Sequence, residues 1–125
     1  MKLHVFLAGL LLFLSCSASD KVPSQAEAVQ RLFKAVKQGD RELLATVWVK
    51  TYSERFEKNG WDKTLAEYEE GLRMNGWDKW DFEKITYKFQ AASETTGTVE
   101  IIYGEESHGK LKVAKENGQW LVSEK

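Results

Sequence analysis

The sequence predicts an α+β domain in which three helices precede a curved, four-stranded antiparallel sheet and pack on one of its faces, giving a cone-like shape. Three observations predict this. Between Ser24 and Asn75 the apolar residues recur at helical spacing; beyond Gly76 they alternate with polar residues; and short turn signals separate the alternating runs. Helices followed by strands joined through short turns are typical of an α+β domain, here predicted to span residues 24–125.

The first predicted helix begins near Ser24 and ends at Gly39. Ser24 and Glu27 have the spacing of a capping box, and glycine is a common helix stop. Its buried face is predicted to contain Val29, Leu32, Phe33 and Val36. Asp40 is predicted to cap the next helix.

The second helix is predicted to run without a break from Asp40 to Asn59-Gly60, and the third from Thr64 to Asn75-Gly76. Thr64 and Glu67 have the spacing of a second capping box. The buried stripe of the second helix is predicted to contain Leu44, Val47, Trp48, Thr51, Tyr52 and Phe56. The inner face of the third is predicted to contain Leu65, Tyr68 and Leu72.

The pentapeptide Asn-Gly-Trp-Asp-Lys occurs twice, at residues 59–63 and 75–79. Asn-Gly ends a helix readily, a following tryptophan can pack back on the domain, and aspartate can begin the next element. The repeat is therefore interpreted as the same helix-stop chemistry used twice; a functional duplication is the alternative.

Four strands are predicted after Gly76. The first three contain the alternating apolar residues Ile85, Tyr87 and Phe89, then Val99, Ile101 and Tyr103, then Leu111 and Val113. Trp80 and Phe82 have the opposite parity to Ile85, so a bulge or bend is expected near Glu83-Lys84. Asn117-Gly118 predicts a tight hairpin into a last strand that begins at Trp120.

Residues 1–15 have the pattern of a secretory signal. A basic start, Met1-Lys2, precedes an apolar run at residues 3–14, which is shorter than the roughly 20 residues that a membrane-spanning helix needs. Ser15-Cys16-Ser17 follows and contains the only cysteine. This pattern resembles the lipobox of bacterial lipoproteins, which implies a lipid on Cys16, a tether over residues 16–23 and attachment to a membrane of the bacterial cell envelope. The alternatives are ordinary cleavage after Ala18 or Ser19 and an uncleaved anchor.

The composition indicates a globular domain without nucleic-acid partners. The chain is 42% hydrophobic, with five Trp, four Tyr and six Phe, so it can form a core without disulfides. The formal net charge is −1, and basic residues are interspersed with acidic ones. No basic stripe of the kind that binds a phosphate backbone is present in the sequence.

Two segments resemble the nuclear-transport-factor-like superfamily, a cystatin-like α/β cone that also contains ketosteroid isomerase and polyketide cyclases. Residues 28–33 leading into Gln38-Gly39-Asp40 are similar to its first helix and following turn, and residues 115–120 to its closing hairpin. The resemblance implies a pocket, open at one end, between the sheet and the helices. Members of the superfamily bind small hydrophobic ligands, catalyse reactions or pair through the sheet.

No catalytic or metal-binding motif is found. His108, the only histidine outside the predicted leader, falls in a predicted polar turn at residues 105–109 and is expected to be solvated. Three aspartates follow or adjoin tryptophans; turn or capping roles are predicted for Asp62 and Asp78, and a solvated position for Asp81. A charged outer helix face is predicted to contain Glu67, Glu69 and Glu70. No catalytic residue, metal or cofactor is therefore predicted.

If the domain has a ligand site, it is predicted among Trp48, Tyr52, Tyr87 and Tyr103, because aromatic rings with polar tips often orient a ligand at a pocket mouth. The leading hypothesis is a non-enzymatic, membrane-anchored module that binds a small apolar ligand or an envelope protein. An isomerase-like or cyclase-like enzyme would need a buried carboxylate facing the pocket. A structural module forming a homodimer through the sheet would need an exposed apolar sheet face.

Overall fold

The computed structural model describes residues 22–123. The predicted leader at 1–15, Cys16 and most of the predicted tether lie outside these residues. Residues 22–123 contain four α-helices: α1 (Glu27–Gln38), α2 (Arg41–Leu44), α3 (Lys50–Asn59) and α4 (Trp61–Asn75). Short 3-10 turns precede α1 at Ser24–Ala26 and follow α4 at Trp77–Lys79 and Phe82–Lys84.

Four strands form one antiparallel sheet, as predicted, and they follow one another as a meander in the order β1-β2-β3-β4. They are β1 (Thr86–Ala91), β2 (Thr96–Tyr103), β3 (Glu106–Glu116) and β4 (Gln119–Val122). Asn117 and Gly118 both have positive φ, at 52° and 78°, which confirms the predicted tight hairpin between β3 and β4.

The predicted bend before the sheet is a 3-10 turn. Asp81 caps this turn by accepting a hydrogen bond from the Glu83 backbone N–H at 3.1 Å. β1 begins only at Thr86, so Trp80 and Phe82 precede the sheet. They are out of step with the alternation of β1 because the 3-10 turn lies between them and the strand.

Neither predicted capping box forms. The side chain of Ser24 makes no capping hydrogen bond, because the chain enters α1 from Pro23 through a 3-10 turn. Thr64 lies inside α4 and donates its hydroxyl to the Gly60 carbonyl at 3.2 Å. Asp40 does cap α2, as predicted, since its Oδ1 accepts the Leu43 backbone N–H at 3.0 Å.

The predicted long second helix is broken between Leu44 and Lys50. Val47 and Val49 exchange backbone hydrogen bonds with Val122 of β4, at 2.8 and 3.0 Å, and Trp48 forms a parallel bridge with the same valine. The spacing of apolar residues through this segment fits both a helix and an extended buried chain, so tertiary pairing with β4 decides the outcome. Thr51, predicted to be buried, is exposed after the break.

Helix ends follow the glycines. Gly39 and Gly76 close α1 and α4 in the left-handed region, with φ of 67° and 77°. Gly60 separates α3 from α4 with φ of 99°. Trp61 and Trp77 then begin the following helical elements, so both copies of the repeated pentapeptide act as helix stops, which confirms the structural interpretation.

The core lies between α1 and the inner face of the sheet. Ala28 and Val29 of α1 are fully buried, and α1 packs on β4, α2 and α4. From the sheet, Val99, Ile101, Val113 and Val122 are at most 2% exposed. Burial on this scale is the main stabilising contribution in a domain of this size.

Candidate functional site

One aromatic cluster joins the break after α2 to helices α3 and α4. Trp48, only 3% exposed, contacts Phe56 and Tyr68 with ring centroids 4.9 and 5.5 Å apart. Tyr52 lies 6.3 Å from Trp48, and Trp61 packs on Phe56 at 5.7 Å. Trp48 and Tyr52, two residues of the predicted ligand site, are therefore neighbours.

Three polar atoms of buried aromatic side chains have no hydrogen-bond partner among residues 22–123: Trp48 Nε1, Tyr68 Oη and Tyr87 Oη. An unpaired buried donor costs about 1–3 kcal/mol. Burial raises the pKa of both tyrosine hydroxyls, because the tyrosinate form is poorly solvated. For Tyr68, the neighbouring Tyr52 and Glu67 raise the pKa further.

A second aromatic cluster lies where the turns after α4 meet the sheet. The Trp80 ring stacks on Trp77 at 4.6 Å and on Tyr103 at 4.2 Å, with interplanar angles of 13° and 12°. We call these three half-buried rings the aromatic stack. Tyr103 is therefore separated from Trp48 and Tyr52, and Tyr87 lies on the inner face of β1 opposite Ile101. Of the four predicted ligand residues, Trp48 and Tyr52 are therefore neighbours, whereas among residues 22–123 no ring contact joins them to Tyr87 or Tyr103.

His108 is not in a solvated turn. It is a half-buried residue of β3, and its ring makes edge contacts with Trp80 at 4.7 Å and Trp77 at 5.9 Å. One extra residue of β3 opposes β2 between Glu100 and Ile102, so a bulge places this ring against the stack. Nε2 lies 3.2 Å from the Tyr103 carbonyl oxygen; because a carbonyl only accepts, His108 donates this hydrogen bond.

A cleft of about 380 Å³ lies beside the aromatic stack, between α1, α4 and the 3-10 turns. Three side chains form its apolar floor: Val36, Leu72 and Phe82. Phe33 connects the cleft to the stack, since its ring contacts Phe82 at 5.3 Å and Trp77 at 6.1 Å. We call this space the α1–α4 cleft. Sequence reasoning did not identify it, because its lining residues come from separate elements with no shared motif.

Four charged side chains surround the apolar floor: Lys37, Glu69, Arg73 and Asp78. Lys37 Nζ donates to the Trp80 carbonyl at 3.4 Å and lies 4.8 Å from the Phe82 ring centroid. Arg73 is paired with Glu70 on the same helix. Glu69 is half-buried, which corrects its prediction as part of a solvated outer face; Glu67 and Glu70 are exposed.

The aspartates beside tryptophans are all exposed. Asp62 pairs with Arg41 at 3.2 Å. Asp62 and Asp78 each lie in the first turn of a helical element, as the predicted turn role requires, but neither makes a capping hydrogen bond. Within residues 22–123, no group of three or more His, Cys, Asp or Glu side chains is arranged to hold a metal ion.

None of the helices in the described part of the chain has the length and apolar character needed to cross a bilayer.

No protein-family model matches the chain, and no curated protein matches its sequence. Among solved structures, the chain is similar to a protein from Campylobacter jejuni named as a candidate NTF2-like transpeptidase, whose crystal structure was determined at 2.00 Å resolution. The similarity covers 82% of this chain and 100% of the other, with a TM-score of 0.54 and 14% sequence identity. The domain therefore has the nuclear-transport-factor-like fold, which confirms the fold predicted from the sequence.

Proposed function

We propose that this chain is an exported lipoprotein, anchored through Cys16 to a membrane of the bacterial cell envelope, whose domain binds a small ligand without catalysing a reaction. The basic start, the short apolar run and the cysteine directly behind it support the anchor. Two or more acyl chains would hold the protein stably, at about 0.8 kcal/mol per buried methylene.

The α1–α4 cleft is the observation that carries the proposal of ligand binding. Its volume of about 380 Å³ falls within the range of small-molecule sites. An apolar floor rimmed by charged groups suits a ligand with an apolar body and a polar end. Burying such a body contributes roughly 25 cal/mol per Å² of apolar surface.

The distribution of ionisable groups favours binding over proton transfer. A cone enzyme of the isomerase type needs a general acid or base held in a buried site. Among the described residues the buried polar side chain is Thr64, and every Asp, Glu and His is half-buried or exposed.

Acyl transfer of the kind named for the Campylobacter jejuni protein requires a nucleophile activated by an adjacent base. His108 is the one histidine of residues 22–123, and its contacts are with aromatic rings and the Tyr103 carbonyl. Within the described residues these contacts leave it without a serine partner and support a packing role.

The outer face of the sheet is poorly suited to a homodimer. Glu100 of β2 lies directly opposite Lys88 of β1 and Lys110 of β3, so a row of charges crosses the middle of this face. A sheet-to-sheet interface would desolvate these groups, which opposes association unless they are paired across the interface. A small ligand or an envelope protein is therefore the preferred partner.

The anchor is tested by the intact mass of the protein purified from its native membrane fraction. A chain that begins at Cys16 and carries diacylglyceryl or triacyl groups is expected. The Cys16→Ser variant is expected to lose these groups and leave the membrane fraction. A wild-type chain that begins near Ser19 or Asp20 without lipid would refute the anchor.

Ligand binding in the cleft is tested with a neutral, solvatochromic apolar dye. Leu72→Trp replaces an aliphatic side chain with a bulky indole ring in the cleft. It is expected to weaken dye binding at least about tenfold, because the dye and the indole compete for the same space. Leu121→Trp, at a half-buried leucine of β4 outside the cleft, is the matched control and should retain binding. Equal dye affinity in the two variants would exclude the cleft as the site.

A further inference from the structure

The charged groups around the α1–α4 cleft differ in whether they already have partners. The two cations are engaged: Lys37 with the Trp80 carbonyl, and Arg73 with Glu70. The two carboxylates that line the cleft, Glu69 and Asp78, have no hydrogen-bond or ion-pair partner in the described range 22–123. Glu70 also faces Arg73, so these five side chains together carry a net charge of −1. The groups in the cleft that remain available for a ligand are therefore carboxylates, which bind a cation.

The floor of the cleft restricts what kind of cation fits. Val36 and Leu72 present aliphatic surface, and Phe82 presents an aromatic ring. The Lys37 ammonium already lies 4.8 Å from the centroid of that ring, so the carbon chain of a ligand, and not its cationic group, is the part that packs against Phe82. A bare metal ion would gain nothing from this apolar surface, whereas an organic amine would bury its carbon chain against it.

We propose that the α1–α4 cleft binds an organic cation: a primary amine or guanidinium group carried on an apolar chain. The cationic group pairs with Glu69 and Asp78, and the chain lies over Val36, Leu72 and Phe82. This inference rests on the proposed ligand-binding function and specifies the chemistry of that same site.

The test compares three probes of equal chain length: hexylammonium, hexanol and hexanoate. Backbone amide shifts of Leu72 and Asp78 are followed by NMR during titration of the domain. Hexylammonium is expected to bind about threefold or more tightly than hexanol, since exposed ion pairs contribute modestly. Hexanoate is expected to bind most weakly, and added salt should reduce only the advantage of the amine.

A double variant, Glu69→Gln with Asp78→Asn, isolates the charge. It is expected to bind hexylammonium and hexanol with equal affinity, so that the preference of the wild-type cleft for the amine is lost. Glu67→Gln with Glu94→Gln removes the same charge from exposed positions outside the cleft and should preserve the preference for the amine.

The outcomes separate the two proposals. If hexanol and hexylammonium bind the wild-type cleft with the same affinity, or hexanoate binds more tightly, the cation inference is wrong and the ligand site stands. If none of the three probes shifts the amides of the cleft, both proposals fail.

Discussion

Trp80 and Tyr103 lie face to face, with ring centroids 4.2 Å apart, while the Tyr103 hydroxyl accepts a hydrogen bond from the Asp81 backbone N–H at 3.0 Å. Tyr103 of β2 therefore holds the segment after α4 both by stacking on Trp80 and by accepting a hydrogen bond from the backbone of Asp81. This turn also contributes Asp78 and Phe82 to the α1–α4 cleft, so the stack fixes one wall of the proposed site.

Tyr103→Phe is expected to lower the free energy of unfolding by about 0.5–1.5 kcal/mol, because it keeps the stacked ring and removes the acceptor of the Asp81 N–H. Denaturant-induced unfolding measures this. Tyr52→Phe is the control: the Tyr52 hydroxyl makes no hydrogen bond within the described residues, so little change is expected. Equal effects of the two substitutions would contradict the assigned hydrogen bond.

Gly97→Ala is expected to destabilise the domain by roughly 1–3 kcal/mol. A Cβ at this position of β2 would lie 2.5 Å from Phe89 Cε1 and 2.6 Å from the Gln90 carbonyl oxygen. Phe89 packs over this glycine and contacts Trp120 at 5.3 Å, so the ring cannot move without disturbing β4. Thermal unfolding would measure the loss.

Gly71→Ala is expected to have the opposite effect, a gain of about 0.5–1 kcal/mol. Gly71 lies inside α4, and an added Cβ would meet nothing within 4 Å. Alanine restricts the unfolded chain and favours the helix. A lower melting temperature for this variant would show that α4 packs more closely than the structure indicates.

Tyr68→Phe and Tyr87→Phe are each expected to leave the free energy of unfolding unchanged or to raise it slightly. Their hydroxyls are buried without a partner in residues 22–123, so the substitution removes a desolvated group while keeping the ring. The measurement is denaturant-induced unfolding of each variant. A loss above about 1 kcal/mol would reveal a polar partner, such as a buried water, for that hydroxyl.

Alkaline pH is expected to destabilise the domain through the same two tyrosines. Burial raises their pKa in the folded state, so above the unfolded pKa of about 10 the unfolded chain loses protons that the folded chain retains. Stability is therefore fully present below that pH and falls as the pH rises above it. The double variant Tyr68→Phe/Tyr87→Phe should show a shallower decline in unfolding free energy with pH; an unchanged slope would exclude these groups as the cause.

Local patterns in the sequence predicted the sheet and the helix ends well. Asn117-Gly118, Gly39 and Gly76 form the turns and helix stops expected of them, because positive φ is a local requirement that few residues meet. The predicted capping boxes failed because a serine or threonine three residues before a glutamate can also lie beside a 3-10 turn or inside a helix. A serine or threonine of such a pair can cap a helix only if the helix begins directly after it.

The broken second helix and the α1–α4 cleft depend on long-range contacts. Val47 and Trp48 follow a helical period, yet the backbone of Val122 draws this segment into an extended pairing. Glu69 and Asp78 belong to different elements, and nothing in their local sequence places them in one cleft. His108 was misplaced because the turn between β2 and β3 is only two residues long, Gly104 and Glu105, both with positive φ, so that β3 already begins at Glu106.

The pairing of residues 47–49 with β4 also constrains when the domain can fold during synthesis. The segment that separates α2 from α3 is completed by the strand that leaves the ribosome after all the others. An emerging chain therefore contains its helices but lacks the backbone partner that closes their layer. We expect such a chain to remain without a cooperative core until β4 has been made, a property that would suit the export proposed for this chain.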